Sequence, residues 1–345
     1  MKGYVFCSTK QGAGKTTAIA GLAQVLGREK VGYFKPLGEH LVYKKKTLWD
    51  LDGALMKELL ESDFESQDLT FGFDHSKMRY MYGEDELGER LKERYEKLSA
   101  SREYFFVEGA GTPEYGHSLG MDAVSQARLY GIPLVALLRG GNTSILDDAS
   151  FLKDRANDEG VELMGVVVND IHDHSRFKEE ALEELLGMGI DVLGVLPHKQ
   201  ALTNISVSFV VERLFAKVIA GEGGLQNKIS QIFVGAMAAS HARRHPGWKD
   251  QNKLIITAGD RDDLIAAAVE DGAACLVITN DLVPSPTILA RADLQGVPIL
   301  QVPTDTYATA KKLENIDNVM SFEEKDKLEA AREIVAVSGL AERFV

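Results

Sequence analysis

Two cysteines in 345 residues are too few for a disulfide framework, and Cys7 and Cys275 lie far apart, each inside an apolar run. That usage fits buried thiols in a reducing compartment, here expected to be the cytoplasm. No Cys/His ligand spacing marks a metal site, and no nucleophile, base and orienter are grouped as a triad. No stretch of about 18 apolar residues occurs, so no membrane span is expected. Lys10, Gly12 and Gly14 interrupt the first apolar run too soon for a secretory signal. Positive charge is also short. The 39 Lys and Arg against 52 Asp and Glu leave a net charge of −13, which argues against general binding to nucleic acid or anionic lipid. An anionic ligand must then be held by a local site. Repeats and low-complexity tracts are absent, and the only basic run, Lys44-Lys45-Lys46, reads as a solvated loop.

What is present is an alternation of short apolar runs with amphipathic stretches. Strands are expected at Tyr4-Val5-Phe6-Cys7-Ser8, Val31–Phe34, Tyr104–Val107, Pro133–Leu138, Gly165–Val168 and Val192–Leu196. Helices are expected at 16–28 and from Asp50 to Leu60. Continuous apolar runs flanked by helices imply a parallel sheet covered on both faces, an α/β doubly wound domain. A helix over about 206–219 leads to Gly221, Gly223 and Gly224, a glycine cluster that reads as the domain boundary. Residues 1–221 would then form the first domain. A smaller α/β domain would follow over 222–320, with strands near 232–235, 254–257, 274–278 and 298–302. The tail from 321 to 345 would hold one more amphipathic helix.

The chemistry concentrates at the end of the first strand. Lys10-Gln11-Gly12-Ala13-Gly14-Lys15-Thr16-Thr17 supplies strand, Gly-rich turn and helix in that order, an anion-binding arrangement. Gly12 and Gly14 let backbone N–H groups converge, and the helix start adds its positive dipole end. Lys15 is expected to bridge the β- and γ-phosphates of a nucleoside triphosphate, and the Thr16 hydroxyl to serve Mg²⁺. Glu108, at the carboxyl end of an apolar strand, is a second candidate ligand for that metal. Asp50 and Asp52 flank Leu51 at a helix start, where one of them serves Mg²⁺, with capping as the competing role; Asp52 is taken as the ligand. Lys35, ending the second strand, is placed near the γ-phosphate or a substrate carboxylate. Asn169 ends the Val166–Val168 strand and offers donor and acceptor to an adenine edge, or forms a turn. Asp74-His75-Ser76-Lys77 with Arg79 is a polar cluster in which His75 acts on a substrate or is structural.

The phosphate loop departs from G-x-x-x-x-G-K-T, having Thr9 where the first glycine is expected. It resembles the deviant P-loop of the MinD/ParA and dethiobiotin synthetase group. In the MinD/ParA branch a lysine ahead of the glycines, matched by Lys10, reaches the phosphates of the partner subunit. This implies a homodimer or higher homo-oligomer. Residues 1 to about 215 resemble the dethiobiotin synthetase-like ATPase domain that also opens long bacterial phosphate acetyltransferases. The resemblance rests on Gly14-Lys15-Thr16, Gly32-Tyr33-Phe34-Lys35-Pro36, Val107-Glu108-Gly109-Ala110-Gly111, Val166-Val167-Val168-Asn169 and Gly194-Val195-Leu196-Pro197. Residues 225–320 resemble the DRTGG domain through Val234-Gly235-Ala236-Met237, Gly259-Asp260-Arg261-Asp262-Asp263 and Asp305-Thr306-Tyr307, with Asp262-Asp263 replacing the threonine-glycine of the name. The resemblance implies ATP and Mg²⁺ as cofactors and a stand-alone two-domain protein without the acetyltransferase domain. Three functions follow as expectations: a slow ATPase with a regulatory or assembly role coupled to the DRTGG-like domain; an ATP-dependent ligase or kinase for a small carboxylate; and an ATP-bound sensor of a regulatory ligand. For dethiobiotin synthesis the serine expected four places after Lys35 is Glu39, and a carboxylate there would repel an anionic intermediate.

Overall fold

The computed structural model describes residues 1–44, 47–249, 252–314 and 319–345; the loop expected at Lys45 and Lys46 lies outside them. The chain forms two compact units, Met1–Leu202 with Val319–Val345, and Thr203–Asn318.

The first unit is built on seven strands: β1 (Lys2–Ser8), β2 (Val31–Leu37), β3 (Thr70–Gly72), β4 (Tyr104–Glu108), β5 (Leu134–Arg139), β6 (Leu163–Ile171) and β7 (Val192–Pro197). All pair in parallel, in the order β3-β2-β4-β1-β5-β6-β7. Val5, Phe6, Phe105, Phe106, Val135, Ala136, Val166 and Val167 are fully buried, as a sheet covered on both faces demands. The chain runs from β1 to β2 and β4 on one side, and later crosses from β4 to β5 on β1's other side. The carboxyl end of β1 therefore lies at the point where strand order reverses, the crevice where ligands bind in open α/β sheets.

The tail does not stand apart from this unit. Helix α5 (Lys325–Val337) packs on α1 (Lys15–Leu26), and its buried Leu328, Ala331, Ile334 and Val335 form the apolar stripe seen in the sequence. Contact is close because Gly21 has no side chain: a Cβ there would meet the Ala331 carbonyl oxygen at 2.5 Å. Gln24 Nε2 donates to the Leu328 carbonyl at 3.0 Å. Phe344 then sits against Tyr4 and Phe6, with ring centroids 4.8 and 6.1 Å away.

The second unit begins earlier than its glycine cluster. Helix α4 (Val207–Leu214) stops at Phe215, which adopts a left-handed backbone (φ 52°). The stretch expected to remain helical is instead β8 (Lys217–Ala220), antiparallel to the last strand of the second sheet. That sheet has the order β8-β12-β11-β10-β9, where β9 is Gln231–Val234, β10 Lys253–Ala258, β11 Cys275–Thr279 and β12 Ile299–Gln301; β9 to β12 are parallel. Gly221 and Gly224 are thus packing positions within the unit: a Cβ at either would collide with the backbone of Val297 or Gly296. The compact units divide at Leu202/Thr203 and Asn318/Val319, where the sequence predicts boundaries at 221 and 321.

Candidate functional site

The phosphate loop is the turn between β1 and α1. Gly12 and Gly14 take φ of 67° and 98°, backbone that side chains rarely tolerate, and a Cβ on Gly14 would also run into the Asn169 amide. Ala13 and Lys15 are buried, whereas Gln11 and Gly12 are exposed and Thr16 and Thr17 half-buried. The Lys15 ammonium donates to Ser8 Oγ at 2.7 Å, and Ser8 Oγ lies 3.1 Å from the carbonyl oxygens of Lys10 and Gly111. Burial pushes the Lys15 pKa down; Glu108 and Glu39 act against this and Lys35 adds to it.

Parallel register delivers the acidic side of the site. Phe6 pairs with Glu108, so the β4 carboxylate lands beside the loop. Glu108 accepts from Thr16 Oγ1 and from the Tyr33 hydroxyl, each at 2.8 Å. Burial raises its pKa and so does Asp52; Lys35, Lys15 and Thr16 pull it down. Lys35 extends from β2 into the same spot. It is ion-paired and hydrogen-bonded to Asp52, with Asp50 at 3.8 Å and Glu108 at 3.9 Å. Burial alone would lower the Lys35 pKa, but the three carboxylates hold it above the ordinary lysine range. Burial likewise opposes ionisation of Asp52, yet Lys35 and His40 keep its carboxyl below the usual range.

Asp50 and Asp52 have separate work. Asp50 caps the helix Leu51–Leu59, accepting from Gly53 N at 3.0 Å, while its other oxygen accepts from Glu39 N and His40 N at 3.0 and 3.2 Å. Asp52 faces Lys35 and His40 Nδ1, the latter at 2.9 Å. The Thr16, Asp52 and Glu108 set is all oxygen and carries excess buried negative charge, which suits a hard divalent cation such as Mg²⁺.

Other expected residues are occupied elsewhere. Lys10 turns away from the loop: its ammonium is 2.8 Å from Asp148, donates to the Arg139 carbonyl at 3.2 Å, and reaches Ser144 Oγ. Asn169 donates from Nδ2 to the Ala13 carbonyl at 2.8 Å, so it braces the loop from β6. Asp74 caps a helix through Lys77 N, and His75 packs edge-on against Tyr115, ring centroids 4.7 Å apart. In the second unit Arg261 donates to the Met237 carbonyl at 2.8 Å, and Asp262 and Asp263 sit in the first turn of a helix whose N-cap, Arg261, makes no side-chain capping bond.

Sequence reasoning missed Ser8, Tyr33, His40, Arg139, Asp170 and His198. Arg139 pairs with Asp170 at 2.7 Å and donates to the Gly12 carbonyl at 3.3 Å, joining β5, β6 and the loop. A strand-end charge facing a strand-end carboxylate was the available signal, and it becomes readable only once Arg139 is known to pair with Asn169 in the sheet.

A Gly-rich strand-to-helix turn with a buried lysine, and a threonine hydroxyl on a carboxylate at the strand-order reversal, define a P-loop NTPase domain. The AAA domain family model matches residues 2–206, more than half of the chain, and the chain belongs to that family; the DRTGG domain model matches residues 209–316. The chain is 24% identical over 336 residues to a phosphate acetyltransferase of Synechocystis sp., covering 91% of this chain and 47% of that protein. It is 26% identical over 235 residues to the ATP-dependent dethiobiotin synthetase BioD of Bacillus licheniformis, covering 62% of this chain and 97% of that protein. The chain spans about half the length of the phosphate acetyltransferases it matches. Among solved structures, the MinD cell division protein of Aquifex aeolicus aligns with a TM-score of 0.39 and 17% identity, over 59% of this chain and 84% of that one. Among the described residues no helix is long and apolar enough to cross a membrane.

Proposed function

We propose that this protein is a Mg·ATP-binding, slowly hydrolysing P-loop ATPase with a regulatory or assembly role, its nucleotide state coupled to the DRTGG domain. The observation that carries the reading is the Lys15–Ser8 contact beside the Thr16–Glu108 hydrogen bond, both at the mouth of a left-handed glycine turn. Lys15 would leave Ser8 for the β- and γ-phosphates. Thr16, Glu108 and Asp52 would hold Mg²⁺ directly or through water, and the ion supplies charge neutralisation on the phosphates. Backbone amides of residues 10–16 would cradle the phosphates, and Asn169 would present its amide edge to the base.

The acidic lining favours this role over a carboxylate ligase. Lys35 is already committed to Asp52, Asp50 and Glu108, and Glu39 lies close to Lys15. An anionic substrate entering there would meet a surplus of carboxylates. Lys10, folded onto Asp148 in its own chain, would be released to a partner subunit's nucleotide only on formation of a homodimer. A cytoplasmic setting fits the two buried free thiols.

Calorimetry with Mg·ATP and Mg·GTP tests the binding, with Lys15→Ala as control. The expected result is heat for the parent with Mg·ATP and a loss of at least about 10-fold in affinity for the variant, as removal of a charge-assisted phosphate contact implies. Phosphate release should be slow without any carboxylate co-substrate; release that required one would replace the regulatory reading with the ligase.

A further inference from the structure

A second cluster lies at the carboxyl ends of β6 and β7. Asp170 takes a left-handed backbone (φ 65°), and the β6–β7 register shifts between Val168 and Ile171, an irregularity that re-aims a side chain. Ile171 pairs with Pro197, and His198 N donates to the Ile171 carbonyl at 3.0 Å, which sets His198 beside His172. The two imidazoles stack with centroids 4.0 Å apart and planes 20° apart. His198 Nδ1 is 2.6 Å from Asp170 Oδ1, and His172 Nε2 is 4.0 Å from the same oxygen. One ligand atom from each of the three residues falls within 4.8 Å of the others.

We propose that Asp170, His172 and His198 form a binding site for a transition-series divalent ion of the Zn²⁺, Co²⁺ or Ni²⁺ class, distinct from the magnesium position at Thr16 and Glu108. Two imidazoles and one carboxylate suit borderline ions, whereas Mg²⁺ prefers all-oxygen surroundings such as the Thr16–Asp52–Glu108 set. Three protein ligands leave a coordination position for water. Bonds of about 2.0–2.1 Å place tetrahedral ligand atoms about 3.3 Å apart, so the 2.6 Å His198–Asp170 contact would open by about 0.7 Å on binding, and the 4.0 Å gap from His172 to Asp170 would close by about as much. His172, 71% exposed at its side chain, is free to close it by rotation. Arg139 supports the far side of the carboxylate, with Nε at 2.9 Å from Asp170 Oδ2, and leaves Oδ1 to the histidines. Such outer support of a ligating carboxylate is the usual partner of a metal ligand. A hydrogen-bonded Asp170–His198 pair alone would account for the 2.6 Å contact, but not for an exposed His172 stacked on it.

The test is a Co²⁺ titration of the full chain without an affinity tag and without nucleotide, read by visible d–d absorption and by calorimetry. One ion per chain is expected, with absorption in the range of nitrogen-ligated, low-coordinate cobalt. His172→Ala and His198→Ala should each weaken binding by at least about 10-fold, the lower end of what loss of even an outer-shell partner costs. Lys15→Ala should bind Co²⁺ like the parent, which keeps this outcome separate from any failure of nucleotide binding. His172 is exposed, so its variant tests the ion without testing the fold; circular dichroism checks His198→Ala. Co²⁺ binding that is absent in the parent, or unchanged in both histidine variants, overturns the proposal.

Discussion

At the scale of single residues, the site separates charges that do chemistry from charges that hold other charges. Asp50 spends both oxygens on backbone N–H groups, and Lys35 is held by three carboxylates, so neither is available to a ligand without rearrangement. Lys15 donates to the Ser8 hydroxyl, a contact that the proposed function exchanges for the phosphates. Gly14 gives a sharp prediction. Alanine there must adopt a left-handed backbone, at about 1–2 kcal/mol, and must push the Asn169 amide from the Ala13 carbonyl. Gly14→Ala should lower the melting temperature and weaken Mg·ATP binding by 10-fold or more, both read by nucleotide-dependent melting; parent-like behaviour would mean that the loop does not hold this turn in solution. The cysteines give a second. Burial pushes the Cys7 thiol up to about 12 and raises Cys275 as well, which disfavours the reactive thiolate at pH 8. A thiol reagent should label neither residue in the native chain and both in denaturant; fast native labelling at either position would contradict its burial.

At the scale of elements, the phosphate loop was legible because strand, turn and helix are contiguous, so each glycine could be given its task from sequence alone. The strands of both sheets were legible for a similar reason: an apolar run with turn residues at its ends carries its own signal. The constellation around Asp170 was not, since Arg139, Asp170 and His198 come from three different strand ends and meet only through register. Helix α4 misled because the pattern of Val207, Val210 and Leu214 continues into Val218, and nothing local marks the left-handed stop at Phe215. Helix α5 was visible as amphipathic, but its partner was not; the complementary feature is the bare backbone at Gly21. Gly21→Ala should therefore cost about 1–3 kcal/mol, the range for overpacking a close interface, seen as a lower denaturant midpoint with an unchanged slope. A midpoint equal to the parent's would show that α5 does not press on α1 as described.

At the scale of the whole molecule, every proposed nucleotide contact belongs to the unit Met1–Leu202 with Val319–Val345. Ligand present at 100 times its dissociation constant stabilises the state it binds by about 2.7 kcal/mol. In differential scanning calorimetry Mg·ATP should raise the transition of that unit, and Lys15→Ala should cut the rise to about half or less. An equal rise in the variant would place the nucleotide elsewhere. The expectation of two α/β bodies came from the alternation of strands and helices and needed no tertiary information. Where they divide did, because glycines that punctuate a loop and glycines that admit a neighbouring backbone look alike in a sequence.

The return of α5 to α1 also bears on how the protein is made. On the ribosome the strands of the first sheet emerge early, but the helix that covers α1 is translated only after the whole of Thr203–Asn318. At roughly 5–20 residues per second that interval is on the order of ten seconds. Throughout it the side of α1 at Gly21 lacks the helix that packs on it in the finished fold. The first unit is thus completed by the last segment of the chain to be made, across the whole length of the second unit.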